Sequence, residues 1–219
     1  MPRRTVPLTL DRLDAVPVPC RSCVFWELDP SLRSRAEELG DTAFEKEAWI
    51  SATMLEWGAC GLLAEHEGVA AGYALFAPPP LVPRARAFPT APVSADALLL
   101  ATITVLPEFR GVGLGRMLVQ DVAREAVKRS FTAIEAFGDA RPEAEQHAHG
   151  GCVTPAAFLA MVGFRTVRAH PVWPRMRLEL RTALPWRAEV EVALERLLGS
   201  SMPGARPVAG AIRSAGAPT

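Results

Sequence analysis

The stretch from Ile103 to Arg116 reads I-T-V-L-P-E-F-R-G-V-G-L-G-R. It finishes a nearly continuous apolar run, Ala97 to Val105, that is rich in β-branched residues. A run without polar alternation is the pattern of a strand buried on both faces. Pro107 follows its end. Glycines at 111, 113 and 115 then open an amphipathic segment reaching about Arg129, with Leu114, Met117, Leu118, Val122, Ala126 and Val127 on one face. A strand, a glycine-spaced turn and a helix together make an anion site. Glycines let successive N–H groups point one way, and the helix N-terminus adds positive potential. Arg110 and Arg116 flank the turn as candidate phosphate contacts, and a pyrophosphate is a suitable guest.

Spacing separates the phosphate binders that share this physics. A P-loop needs a Gly-Lys pair, and the chain contains none. The dinucleotide fingerprint G-x-G-x-x-G would put its third glycine at Arg116 or at Leu118, and both fail. The pattern carried by Val105, Pro107, Arg110, Gly111, Gly113, Gly115 and Arg116 does resemble the acyl-CoA signature of the GNAT superfamily of N-acetyltransferases. Phe158 to Phe164, F-L-A-M-V-G-F, is similar to the later helix of that family, which ends in Gly-Phe and runs into a strand.

Working outward, Thr5 to Leu10 reads as a first strand, and Ser31 to Leu39 and Thr42 to Glu56 as two helices, the second with Asp41 as N-cap. Phe44, Ala48, Ile50, Leu55 and Trp57 are its apolar positions. Cys60 to Ala64 and Ala71 to Phe76 read as a hairpin turning at Glu67-Gly68. Thr132 to Phe137 is a further strand, and Pro155 to Met161 a short helix stopped by Gly163. Phe164 to Ala169 and Met176 to Leu180 are two more strands. The expected fold is a mixed α/β domain over residues 1–181. An amphipathic helix over residues 182–199 and a disordered Gly/Ala/Pro/Ser tail over residues 200–219 follow it. The resemblance implies a central mixed, mostly antiparallel sheet flanked by helices, with its central strands, Ala97–Val105 and Thr132–Phe137, splayed apart.

It also implies acetyl-CoA as cosubstrate. Ile103, Thr104 and Val105 would offer backbone hydrogen bonds to the pantetheine and thioester. Arg110, Gly111, Val112, Gly113, Leu114, Gly115 and Arg116 would cradle the pyrophosphate. The implied reaction is direct attack of an amine on the thioester, with a base for the ammonium proton and an acid for the departing thiolate. Two positions depart from the family pattern. The tyrosine acid falls on Leu159 and a common asparagine falls on Cys152; the chain's one tyrosine, Tyr73, lies on the hairpin. Cys152 is therefore the candidate acid, with solvent or the amine's own proton as alternatives. Glu135, the one carboxylate inside an apolar strand beside the cofactor gap, is the candidate base. Glu27, Glu143 and Glu145 are its rivals, and the alternative for Glu135 is a solvent-facing position.

Equal numbers of basic and acidic residues, 24 each, leave no electrostatic footprint for nucleic acid, and only Lys46 and Lys128 are lysines. No apolar run is long enough to span a bilayer, and the first residues lack a signal-peptide core. The expected location is the cytoplasm, where four cysteines would be free thiols. The expected acceptor is a small-molecule or peptide amine, and the helix after Pro185 is a candidate dimer contact. Cys20-Arg-Ser-Cys23 admits a metal or thiol-redox module as a competing reading, although a zinc site would need two further ligands. A second competitor is an acyl-CoA-binding module without turnover. Trp26, Trp49 and Trp57 are read as core aromatics or as walls of the acceptor pocket. The loop from Gly138 to Gly151, with Glu143, Glu145, His147 and His149, is either a cover over the acceptor or a solvated loop.

Overall fold

The computed structural model describes residues 3–18, 20–142 and 151–180. The expected helix and tail beyond residue 181, and Glu143, Glu145, His147 and His149, lie outside them. Seven strands form one sheet in the order β1-β2-β3-β4-β5-β7-β6. They are β1 (Arg3–Pro7), β2 (Gly61–His66), β3 (Val69–Ala77), β4 (Ala97–Val105), β5 (Ala133–Phe137), β6 (Arg165–Arg168) and β7 (Arg175–Glu179). Every pairing is antiparallel except β4 with β5. The helices are α1 (Pro30–Leu39), α2 (Thr42–Glu56), α3 (Leu114–Lys128) and α4 (Ala156–Met161).

Local chemistry accounts for most boundaries. The carboxylate of Asp29 accepts the N–H groups of Ser31 (2.9 Å) and Leu32 (3.0 Å), and Pro30 takes the first turn of α1. Asp41 does not cap α2 with its side chain as expected; its backbone carbonyl receives the Glu45 N–H instead. Residues Glu67 and Gly68 both have positive φ, the two-residue turn that matches strand twist in a hairpin. The first strand sits earlier than the expected Thr5–Leu10, because the chain turns into a 3-10 helix at Leu10.

The apolar run of β4 is buried on both sides, as its pattern requires. Leu98 and Leu100 face α3, packing with Leu118, Val122 and Leu62. Leu99 and Ala101 face the other way, with Ile50 of α2, Trp26, Phe88 and Phe137. The face of α2 turned inward carries Lys46, Ile50 and Thr53, whereas Phe44 and Leu55 are exposed. Lys46 can point inward because it meets Glu27 there as a fully buried pair. The sequence pattern of α2 is blurred because a charge, not a methyl, holds its centre. No helix among the described residues is long and apolar enough to cross a membrane.

Candidate active site

β4 and β5 pair over only Ala97–Leu99 and Ala133–Glu135. β4 runs six residues further, to Val105, and on its other side stays paired with β3 up to Gly72. Among the described residues the β5-facing edge of β4 from Leu100 onward therefore has no strand partner, and a slot opens between the two strands. Thr154 closes part of it: its hydroxyl accepts the N–H of Ile103 at 3.1 Å. Thr104 and Val105 lie beyond that contact, half-buried.

The glycine turn sits at the open end. Gly111 (φ +80°) and Gly113 (φ +86°) adopt left-handed backbone, which a side chain would strain. Nothing surrounds a Cβ placed at Gly111, while one at Gly113 would touch the Arg3 guanidinium. Arg3 in turn donates to the carbonyl of Val112. Gly115 is needed for packing, since a Cβ there would lie 2.9 Å from the ring of Phe158 on α4. α3 begins at Leu114 with no side-chain cap and no acid in its first turn, so its leading N–H groups and dipole are left for an anion. Arg110 folds back, its Nε 3.4 Å from the Val105 carbonyl, and Arg116 is exposed on the first turn.

A thiol cluster lies beside the slot. Cys20 Sγ is 3.7 Å from Thr104 Oγ1, and Cys23 Sγ is 3.4 Å from Cys152 Sγ. The indole N–H of Trp26 donates to the Cys152 carbonyl at 2.8 Å, and Lys46 donates to the Cys23 carbonyl at 3.0 Å. The hydrogen bond from Cys152 lowers the Cys23 thiol to about 6. The same contact, with burial, pushes Cys152 up. Burial also raises Cys20 and takes Cys60, inside the core, to about 12. Tyr73 is paired with Thr104 across the β3–β4 ladder, and burial holds its phenol well above the ordinary value. Sequence spacing gave no sign that Cys152 would meet Cys23 from 129 residues away. Among the described residues no cluster has the makings of a metal site.

Glu135 is buried, not solvent-facing, but its carboxylate is already engaged. It accepts from Arg175 (3.0 Å), Arg177 (3.2 Å) and the Ser94 N–H (3.1 Å), in the last paired rung of β4–β5, opposite Leu99. Two guanidiniums and a backbone N–H already occupy its two oxygens. This geometry argues against the expected base role. Glu27 is held likewise by Lys46 and the Trp26 N–H. Leu159, at the family's tyrosine position, is fully buried in the core beneath α3.

A cavity of about 270 Å³ opens next to Cys152. Phe25, Phe88 and Trp173 line it, with Arg33, Arg84 and Arg141. Trp173 is delivered by a bend in which His170 Nδ1 accepts the N–H groups of Val172 (3.1 Å) and Trp173 (2.9 Å). Of the tryptophans named from sequence, none lines the cavity. Trp26 stacks in the core beside it, Trp49 donates to the Leu81 carbonyl, and Trp57 lies under Arg129 at the far end of α2.

A family model described as "Acetyltransferase (GNAT) family" matches residues 23–150, more than half of the chain. The chain belongs to the GNAT acetyltransferase family. Solved structures agree on the fold of this GNAT chain. The PaiA N-acetyltransferase of Thermoplasma acidophilum, in complex with coenzyme A, is similar at 10% identity and a TM-score of 0.53, covering 82% of this chain and 99% of that one. Another acetyltransferase structure is similar at 20% identity and a TM-score of 0.51, covering 81% and 99%. No curated protein sequence matches the chain.

Proposed function

We propose that this protein transfers the acetyl group of acetyl-CoA to an amine by direct attack on the thioester. The observation that carries this reading is the conjunction of an uncapped α3 N-terminus, two left-handed glycines before it, and a strand edge on β4 without a partner. The turn from Arg110 to Arg116 suits the pyrophosphate, and Thr104 and Val105 suit the pantetheine, with Ile103 sharing its N–H with Thr154. The bound thioester would supply an activated acyl carbonyl.

The chain's own residues would manage the protons. Cys23, as a thiolate near neutral pH, accepts a proton from the acceptor's ammonium. Cys152 keeps its proton under the same conditions and delivers it to the departing sulfur. The nitrogen's second proton leaves to solvent as the amide forms, and the shared hydrogen bond returns the first from Cys23 to Cys152, so the pair ends as it began. Paired groups with opposed shifts divide acid and base roles in this way. A reducing compartment keeps both thiols available, which favours the cytoplasm.

Release of coenzyme A thiol from acetyl-CoA, measured over an amine panel beside calorimetric binding of coenzyme A, tests the reading. Turnover that falls at least about tenfold in Cys152→Ala, with coenzyme A binding unchanged, is the expected result. Absence of coenzyme A binding would remove the reading altogether. Binding without turnover on any amine would favour the non-catalytic acyl-CoA module, the reading that Leu159 in place of the usual tyrosine also favours.

A further inference from the structure

The cavity beside Cys152 has an unbalanced charge. Arg33 is paired with Glu37 at 2.7 Å, and Arg141 is paired with Asp139 at 2.7 Å. Arg84 has no carboxylate partner among the described residues, and its Nε is buried with no hydrogen-bond acceptor. Its guanidinium lies 4.4 Å from the centroid of the Phe25 ring, and that of Arg33 lies 5.4 Å from the same ring. Two cations thus meet one aromatic ring at the cavity wall, and of the two only Arg33 has a carboxylate partner, Glu37, among the described residues. Desolvation and the charge of Arg33 both depress the pKa of Arg84, the signature of a cation without its counter-ion.

Apart from the arginines, Asp139 (which is paired with Arg141), Gly151 and Cys152, the wall is apolar. Phe25, Phe88, Trp173 and Val153 surround a space roughly nine times the ~30 Å³ share of one water molecule. Phe88 meets Phe25 and Trp173 edge to face, so the wall is braced. An apolar body and one anion fit this lining. The planar fork of an arginine matches a carboxylate best. The cavity's inner boundary is Cys152, whose thiol faces Cys23 and, through Cys20, the Thr104 end of the slot. A ligand whose carboxylate meets Arg84 therefore lies in the same cavity as Cys152.

We propose that this cavity is the acceptor site and that the acceptor is an apolar or aromatic α-amino acid, its carboxylate clamped by Arg84 and its side chain against Phe25, Phe88 and Trp173. The proposal rests on the acetyltransferase reading for the fate of the amine, but not for the binding. N-acetyl-L-phenylalanine, the product form of such an acceptor, and its neutral twin N-acetyl-L-phenylalaninamide are the probes. Their binding is measured by calorimetry on the whole chain. The acid should bind about tenfold or more tighter than the amide, the range of a charge-assisted hydrogen bond. Arg84→Gln should reduce that preference to about threefold or less, and Arg84→Lys, which keeps the charge without the fork, should retain part of it. The Lys variant guards against a Gln variant that fails to fold.

Equal binding of acid and amide, a preference that survives in Arg84→Gln, or no binding of either probe at millimolar concentration would overturn the proposal. A second arm compares coenzyme A release with phenylalanine and with phenylalaninamide. Acid-selective binding with no turnover on any amine would sink the acetyltransferase reading alone and leave the anion site standing. Turnover of the amide at least as efficient as that of the acid would sink the anion site and leave the acetyltransferase reading intact.

Discussion

Replacing Glu135 with glutamine distinguishes a structural carboxylate from a catalytic one. Glu135 is fully buried, and its partners Arg175 and Arg177 are only 13% and 15% exposed. Glutamine keeps the shape and one acceptor oxygen but removes the charge that both guanidiniums face. Breaking a buried ion pair by removing one partner costs about 3–5 kcal/mol. Arg177 retains Asp96 (2.8 Å) and Glu179 (2.6 Å), so the lower end, about 3 kcal/mol, is expected. In a chain of this length that corresponds to a fall in melting temperature of roughly 6–12 °C. Thermal unfolding by circular dichroism gives the stability. Coenzyme A release per folded molecule, measured well below the transition, gives the activity. A structural role predicts a lower melting temperature with turnover within about threefold of the parent, since a general base contributes about 10²–10⁴-fold. An unchanged melting temperature with turnover reduced a hundredfold would refute it and return Glu135 to the role of base.

Three other outcomes follow from the geometry. Iodoacetamide should alkylate Cys23 first, with a rate that rises as pH increases through about 6, because its thiolate is the stabilised form; Cys60, at about 12 and inside the core, should stay unmodified in the folded protein, and mass spectrometry after digestion reads both. Gly113→Ala should weaken coenzyme A binding and cost about 1–3 kcal/mol, since φ +86° strains any side chain and the new Cβ meets Arg3; calorimetry and denaturant unfolding measure the two effects. Trp26→Phe should cost about 1–3 kcal/mol by leaving the Cys152 carbonyl without its indole donor, and it should slow turnover more than it changes coenzyme A affinity, which steady-state kinetics would show.

The fold was legible where local chemistry decided it. The apolar run of β4, the glycine spacing ahead of α3 and the Glu67-Gly68 turn each specify one backbone conformation, and each element lies where the residues put it. Asp41 stands at the N-cap of α2 as read, though its side chain makes no cap bond, while Asp29, whose carboxylate does cap α1, went unnoticed because no apolar pattern advertised it. The burial of Glu135 was predictable from its apolar neighbours, but its guanidinium partners were not. Arg175 and Arg177 are forty residues on and become neighbours only when β7 lies alongside β5. The cavity beside Cys152 was the least legible part. Phe25, Arg84, Cys152 and Trp173 come from four separate connections with no shared spacing, and long-range pairing alone brings them together. Cys152 was reachable from the motif register, whereas its contact with Cys23 was not.

The short β4–β5 ladder divides the sheet into two half-sheets, β1-β2-β3-β4 and β5-β7-β6, each well paired within itself. At the closed end the halves are stitched together by polar contacts from the segment ahead of β4. Ser94 and Pro92 reach Glu135 and Arg175, and Asp96 reaches Thr132 and Arg177. At the open end, among the described residues, the crossing contacts come from the Cys20–Trp26 and Cys152–Thr154 segments and from Phe158 against Gly115. The sheet thus has a stiff root and two tines. A molecule lying between the tines would touch both half-sheets and brace them against each other, by mass action on the closed arrangement. Amide protons of β5 and β7 would then exchange more slowly when the slot is filled, although the molecule touches neither strand along most of its length.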